Sequence, residues 1–422
     1  MYSGFSTALS ALTADTTAIN VVGNNLANLN TTGFKASEID FSTLMAQSLG
    51  VGSSNGQVGM GVAQVDAVQN FTQGSMTNTN GPLDCALQGS GFFVVTDSSN
   101  NQLYTRDGSF QLDASGNLLT ATGQNVQGWT AVDGVVDTNG AIGNITVPVG
   151  SVVPPVATAN MSMDINLNSQ AVTGAASGTF TAPIQVYDSQ GTAHTLSVTF
   201  TQSAANNWGY TVTIPATDVG QTGDPVSLAT GTLTFDGNGN LSSPAAATPP
   251  APNTPVAITA SSLTDQATLN VNWNLFNSAG TPTITQYAQT SAMSNPTQDG
   301  NAPGQVSNVA IQNGGLMVAT YTNGQQMTLG QLAVASIANP TSLLQVGDNN
   351  LQASAATAQA ALGAAGAGGR GTIVGGSLEA STTDMASQFT QLLTFERSYQ
   401  AASRVISTDD QLLQETVNLI HP

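Results

Sequence analysis

The feature that most limits the fold is a register near the C-terminus: Leu378, Met385, Leu392, Tyr399, Ile406, Leu413 and Ile420 fall seven residues apart without a break. An apolar period of seven fits two turns of helix and marks a seam against another helix. At 1.5 Å per residue this stripe runs about 63 Å. The N-terminus repeats the device over Phe5, Leu12, Ile19 and Leu26, with Tyr2, Leu9, Thr16 and Gly23 at the alternate position. Its stripe of about 36 Å is too short to cover the other. The complementary positions of the C-terminal helix are mixed, with Phe389 and Val417 but also Glu396, Ser403 and Asp410. That mixture argues against a two-stranded zipper. Several faces of the helix need neighbours, and other copies of the same chain are the obvious supply.

Between the ends the texture changes to short alternating runs broken by turn signals such as Asp107-Gly108, Gln190-Gly191 and Asp236-Gly237-Asn238-Gly239. In the clearest hairpin, over 184–200, Leu196, Val198 and Phe200 share a strand face. His194 shares their parity and reads as a structural histidine. The expected fold is mainly β with long α-helical termini, in nested domains. Residues 1–28 and 378–422 form a coiled-coil-like helical domain, 70–147 and 284–353 an inner β domain, and 148–283 an outer β domain inserted within it. The glycine-rich and Ala/Gly-rich stretches in 29–69 and 354–377 read as pliable connectors.

Charge narrows the function. Five Lys and Arg stand against 24 Asp and Glu, a net charge of −19, and charged residues make up only 7% of the chain. With no basic patch to meet phosphates, nucleic acid and anionic membrane surfaces are excluded as partners. No apolar run is long enough to insert in a membrane. No Lys or Arg precedes Lys35 and no apolar core follows the start, so no cleaved signal peptide is expected. Cys85 is the sole cysteine and lies in an apolar run, where a small buried hydrophobe is the reading.

Catalytic motifs fail in turn, and no catalytic residue, cofactor site or metal site is assigned. Lys35 is the only lysine and follows Phe34, which removes any GxxxxGK loop. Gly366 to Gly371 matches GxGxxG but follows an Ala-rich helical pattern instead of a strand. Gly52-Ser53-Ser54-Asn55-Gly56 matches GxSxG without a strand-to-helix elbow, and the two histidines, His194 and His421, do not make a hydrolase site. Most aspartates sit beside turn glycines, where they bend the backbone. Trp129, Trp208 and Trp273 among many Asp and Asn leave a secreted carbohydrate-binding β protein as an alternative, although the same tryptophans suit a core.

The segment from Val22 through Asn24, Asn25, Leu26, Ala27, Asn28, Thr32, Gly33, Phe34 and Lys35 resembles the N-terminal signature of bacterial flagellar rod and hook proteins. Asparagines there can end a helix by serving freed backbone groups, Gly33 permits a left-handed turn, and Phe34 anchors the exit. The resemblance continues over 81–95, 104–110, 376–381 and 396–402. Within it, Cys85 takes a position usually held by another small apolar residue. Distal rod proteins resemble this chain without the long insert and are the alternative within the family. Met163 to Asn168, Val186 to Gly191 and Leu233 to Asp236 look like the outer domain of the hook branch, while 242–280 is diffuse.

This resemblance implies many copies assembled into a curved, hollow tube outside the cell, a universal joint that carries torque from the motor and rod to the filament. It also implies rod, hook-cap and hook-filament junction proteins and the flagellar export apparatus as partners. On that reading the residues that carry assembly are Phe5, Leu9, Leu12, Ile19 and Leu26 of the first helix. Their counterparts at the other end are Leu378, Met385, Phe389, Leu392, Tyr399, Ile406, Leu413, Val417 and Ile420.

Overall fold

The computed structural model describes residues 2–44, 47–48, 57–63, 66–150, 152–245, 255–260, 263–264 and 267–420. The chain divides into two compact units: one of 1–149, 307–320 and 326–422, the other of 150–306 and 321–325. A helix stands at each end of the chain, α1 (Tyr2–Ala27) and α2 (Met385–Ile420), and among the described residues the regular elements between them are strands apart from three short 3-10 turns.

In the first unit the core sheet is built on Phe92–Thr96, which pairs antiparallel with Gln102–Thr105, Asn125–Val132 and Val334–Ser336. Asn125–Val132 passes the sheet on to Gln326–Leu332. Phe92, Val94, Tyr104, Trp129, Ala335 and Leu351 pack into one apolar cluster. Short two-stranded pairs tie both ends of the chain to this body. Ser37–Asp40 pairs with Asp66–Gln69, Met76–Asn78 with Ser377–Glu379, and Cys85–Gln88 with Thr372–Gly375.

The second unit is a sandwich. One sheet is an antiparallel meander of Thr179–Tyr187, Ala193–Ala204, Asn207–Ile214, Val226–Phe235 and Leu241–Ser243. The other is centred on Asn160–Asn168, parallel to Leu269–Trp273 and Ile284–Tyr287 and antiparallel to Ala292–Gln298. Period-two alternation sends Met161, Met163, Ile165 and Leu167 inward to meet Val198, Phe200, Trp208 and Val212. Trp273 is fully buried and meets Tyr210 edge to face at 5.3 Å. Each such side chain contributes about 1.5–3 kcal/mol when sealed from water.

Several expectations change. Leu378 lies in the strand Ser377–Glu379, so the helical part of the C-terminus begins at Met385 and not at 378. Asp384 sets that start: its Oδ1 accepts from the Ser387 amide at 2.7 Å, an N-cap that stops the helix from extending backward. The 354–377 stretch is not a free connector, because Ala361–Gly363 and Thr372–Gly375 are both sheet strands. The GxGxxG match falls in the turn between those two strands, not after a helix. Within 29–69, likewise, Ser37–Asp40 and Asp66–Gln69 are paired. The outer unit runs past 283 to Val306, since Ile284–Tyr287 and Ala292–Gln298 hydrogen-bond to Asn160–Asn168. Both helices fall in the same compact unit as the inner β body. Gly50, Gly52, Gly56, the GxSxG match, His421 and the Ile420 side chain lie outside the described residues.

Candidate functional site: the helix pair and the ion cluster that anchors it

The two helices run antiparallel, as two contacts at opposite ends show. Asn25 Nδ2 donates to Gln388 Oε1 at 3.1 Å, and Ala8 and Ala11 lie beside Ala402 and Val405. The face that α1 turns inward is small: Ala8, Ala14, Asp15, Ala18, Val22 and Asn25 are buried. Small side chains let two helix backbones approach closely, whereas large ones hold them apart. On α2 the positions turned inward are Gln388, Phe395, Ala402, Asp409 and Thr416, with Leu392 and Ile406 beside them. The second seam position is therefore one residue earlier than the sequence period indicated. Phe389 and Val417 point outward, 50% and 59% exposed, and Glu396, Ser403 and Asp410 share that outer side.

The other assembly residues divide accordingly. Phe5 and Leu9 on α1 are 40% and 46% exposed, while Leu12, Ile19 and Leu26 are half-buried at the edge of the small-residue face. On α2 Met385, Tyr399 and Leu413 are exposed, and Leu393, Val405 and Leu412 join them. The pair thus leaves broad apolar surface on both members. α1 has 26 residues and α2 has 36. Carrying the Asn25–Gln388 contact along the pair puts the start of α1 near about residue 411, so the last turns of α2 outrun their partner.

At the other end of α1 the signature residues form a tight exit. Asn28 Nδ2 donates to the Asn24 carbonyl at 2.9 Å and its Oδ1 accepts from Thr31 at 3.1 Å. Asn25 is buried and works harder. Its amide donates to the Ser37 carbonyl at 2.8 Å and its Oδ1 accepts from the Ser37 amide at 3.0 Å, stapling helix, following strand and α2 together. Gly33 takes φ +68°, and a Cβ there would stand 2.5 Å from the Arg106 backbone. Phe34 is buried, its carbonyl accepts from the Thr382 amide, and the Ala36 amide donates to Thr382 Oγ1 at 2.9 Å.

Lys35 then enters an ion cluster. Its Nζ meets Glu379 Oε1 at 2.6 Å and donates to the Thr72 carbonyl at 2.6 Å, while Arg106 Nη1 meets Glu379 Oε2 at 3.2 Å. All three side chains are at least 95% buried. Glu379 also accepts from the Gly74 amide at 2.8 Å, and its backbone carbonyl accepts from the Gly33 amide at 2.8 Å. Arg106 also donates through Nη1 to the Leu87 carbonyl and through Nη2 to the Gly89 carbonyl, and lies over the Phe92 ring. Burial pulls the Lys35 ammonium below its ordinary pKa, against the pull of Glu379 in the other direction. Removing one member of such a buried set costs about 3–5 kcal/mol, because a desolvated charge is left alone. The cluster locks the root of α1 to the strand that leads into α2. Arg106 and Glu379 went unassigned in the sequence because their partners are remote along the chain. Their only sequence signal is that both lie in segments of family resemblance.

In the outer unit His194 is hydrogen-bonded through both ring nitrogens, to Asp218 at 2.9 Å and Asp188 at 3.1 Å, as a structural histidine. Cys85 is fully buried and burial raises its thiol pKa well above the ordinary value. Trp129, Trp208 and Trp273 are core residues, which removes the carbohydrate platform. No helix among the described residues is long and apolar enough to cross a membrane.

A sealed β body carrying an antiparallel helix pair with uncovered apolar faces defines a structural subunit. The sequence matches four family descriptions. These are the flagella basal body rod protein over 5–35, the flagellar hook protein FlgE/F/G D1 domain over 86–182, the flagellar basal body protein FlaE D2 domain over 162–301 and the flagellar basal body rod FlgEFG protein C-terminal region over 374–419. The flagellar hook protein FlgE of Salmonella typhimurium is 33% identical over 98% of this chain and 99% of its own, and that of Escherichia coli 34% over the same shares. The solved Helicobacter pylori hook protein FlgE2 shares the fold at a TM-score of 0.50 and 12% identity, covering 71% of this chain and 99% of that one. The chain belongs to the flagellar hook protein FlgE family, a family of structural proteins and not of enzymes.

Proposed function

We propose that many copies of this chain polymerise outside the cell into a curved, hollow tube, the flagellar hook, which acts as a universal joint carrying torque from motor and rod to filament. The observation that carries the reading is the uncovered apolar face on each terminal helix: Phe5 and Leu9 on α1, Phe389, Leu393, Leu412 and Val417 on α2. On this reading the faces find cover against the helices of neighbouring copies, with the pair lying along the inner wall of the tube. Rod, hook-cap and hook-filament junction proteins are the partners at its ends. The flagellar export apparatus carries the chain out, and no contact with nucleic acid or insertion in a membrane is involved. Electron microscopy of a deletion strain tests the reading. Cells should keep a rod and lose everything beyond it, and a filament still joined to the rod by a normal hook would overturn it.

A further inference from the structure

The chain has five cations to set against its 24 acids, and among the described residues three of the five are committed. Lys35 and Arg106 are buried on Glu379, and half-buried Arg370 donates through Nε to the Ala364 carbonyl at 3.0 Å. Arg397 and Arg404 remain, both exposed on α2 and in no ion pair among the described residues. They stand seven residues apart, hence on one side of the helix. Each follows an inward position, Phe395 or Ala402, by two residues, about 200° round the axis and facing away from α1.

Glu415 lies on the same side. From Arg397 to Glu415 is 18 residues, five whole turns, so the two share one angular position about 27 Å apart along the axis; Arg404 is about 16 Å away and within about 20°. Neither arginine can reach Glu415 within its own helix. The face is therefore positive in its middle and negative in the turns that outrun α1, with exposed Leu393 and Leu412 flanking it. A second parallel helix displaced along the axis by about 16 to 27 Å brings unlike charges opposite each other.

We propose that Arg397 and Arg404 form an ion-pairing strip whose partner is Glu415 on α2 of a second copy, fixing the axial stagger between neighbouring helices. This rests on the polymer reading above. It adds that, between copies each carrying −19, attraction is confined to this strip while the remaining charge repels. The strip sets which stagger forms, and apolar burial sets how tightly.

Sedimentation of polymer from the full-length chain, seeded with its own short fragments, tests the strip. R397Q/R404Q should leave monomer helicity unchanged, since both side chains are exposed, and raise the concentration needed for polymerisation about tenfold or more. R404E should do the same, and adding E415R to it should restore polymerisation by exchanging the charges. Polymerisation of R397Q/R404Q at the unsubstituted concentration would overturn the strip. Failure of E415R to rescue R404E would overturn Glu415 as partner. Failure of the unsubstituted chain to polymerise at all would overturn the tube reading itself, a separate result.

Discussion

The outer β unit and the terminal helix pair dispose of most of their large apolar residues in opposite ways. In the outer unit every second residue of Asn160–Asn168 is buried, and Trp208, Trp273 and Phe200 have no exposure. In the helix pair the buried positions are chiefly small or polar, Ala8, Ala14, Asp15, Ala18, Asn25, Gln388 and Ala402 with Val22, while Phe5, Leu9, Phe389, Leu393, Leu412 and Val417 face out. The first pattern closes a core within one chain. The second closes nothing until another chain arrives. A region's hydrophobicity therefore says less about its stability alone than which side the large residues take.

Substitutions can break this contrast. Trp273→Ala should cost the outer unit about 3–5 kcal/mol, because the cavity left in a sealed sandwich cannot collapse, and should leave helix content unchanged. Chemical denaturation followed by tryptophan fluorescence and circular dichroism reads both. Glu379→Gln should cost the inner unit about 3–5 kcal/mol by stranding Lys35 and Arg106, and should loosen the root of α1, seen as faster proteolysis near residues 33–37.

The outer unit should also respond to pH through His194. Burial opposes its charge, but the bonds to Asp218 and Asp188 outweigh that and raise its pKa above the ordinary 6.5. The stabilisation is then complete below about pH 6.5 and is lost as pH rises through the raised value. H194Q should flatten that dependence, and the ring signals of His194 in NMR should titrate above those of an exposed histidine. The smallest expected effect is the sharpest comparison. Phe389→Ser should move monomer stability by no more than about 0.5 kcal/mol, being half exposed, yet impair polymer formation.

The outer unit was legible because its signals are local. Period-two parity placed Leu196, Val198, Phe200 and His194 on one buried face, and the Asp236 turn forms as its sequence indicates, its carboxylate accepting from the Asn238 and Asn240 amides. The helix ends were legible as helices but not as a seam. The inward residues Ala8, Ala18, Gln388 and Ala402 carry no hydrophobic signal, whereas the outward Phe389 and Val417 do. Leu378 fits the seven-residue period by coincidence, since Asp384 caps the helix after it. The ion cluster was out of reach because Lys35 and Glu379 are 344 residues apart, and no local pattern links them. Single-sequence reading finds alternation and turns; it does not find which small face two helices share.

Hydrogen exchange of the two helices, measured in the dilute monomer and in the assembled polymer, tests most directly whether they are finished only by other copies. The expected result is fast exchange along α1 and along α2 beyond residue 400 in the monomer, slow exchange in the polymer, and equal protection of the outer β unit in both. Helices protected in the monomer as strongly as Asn160–Asn168 would contradict it.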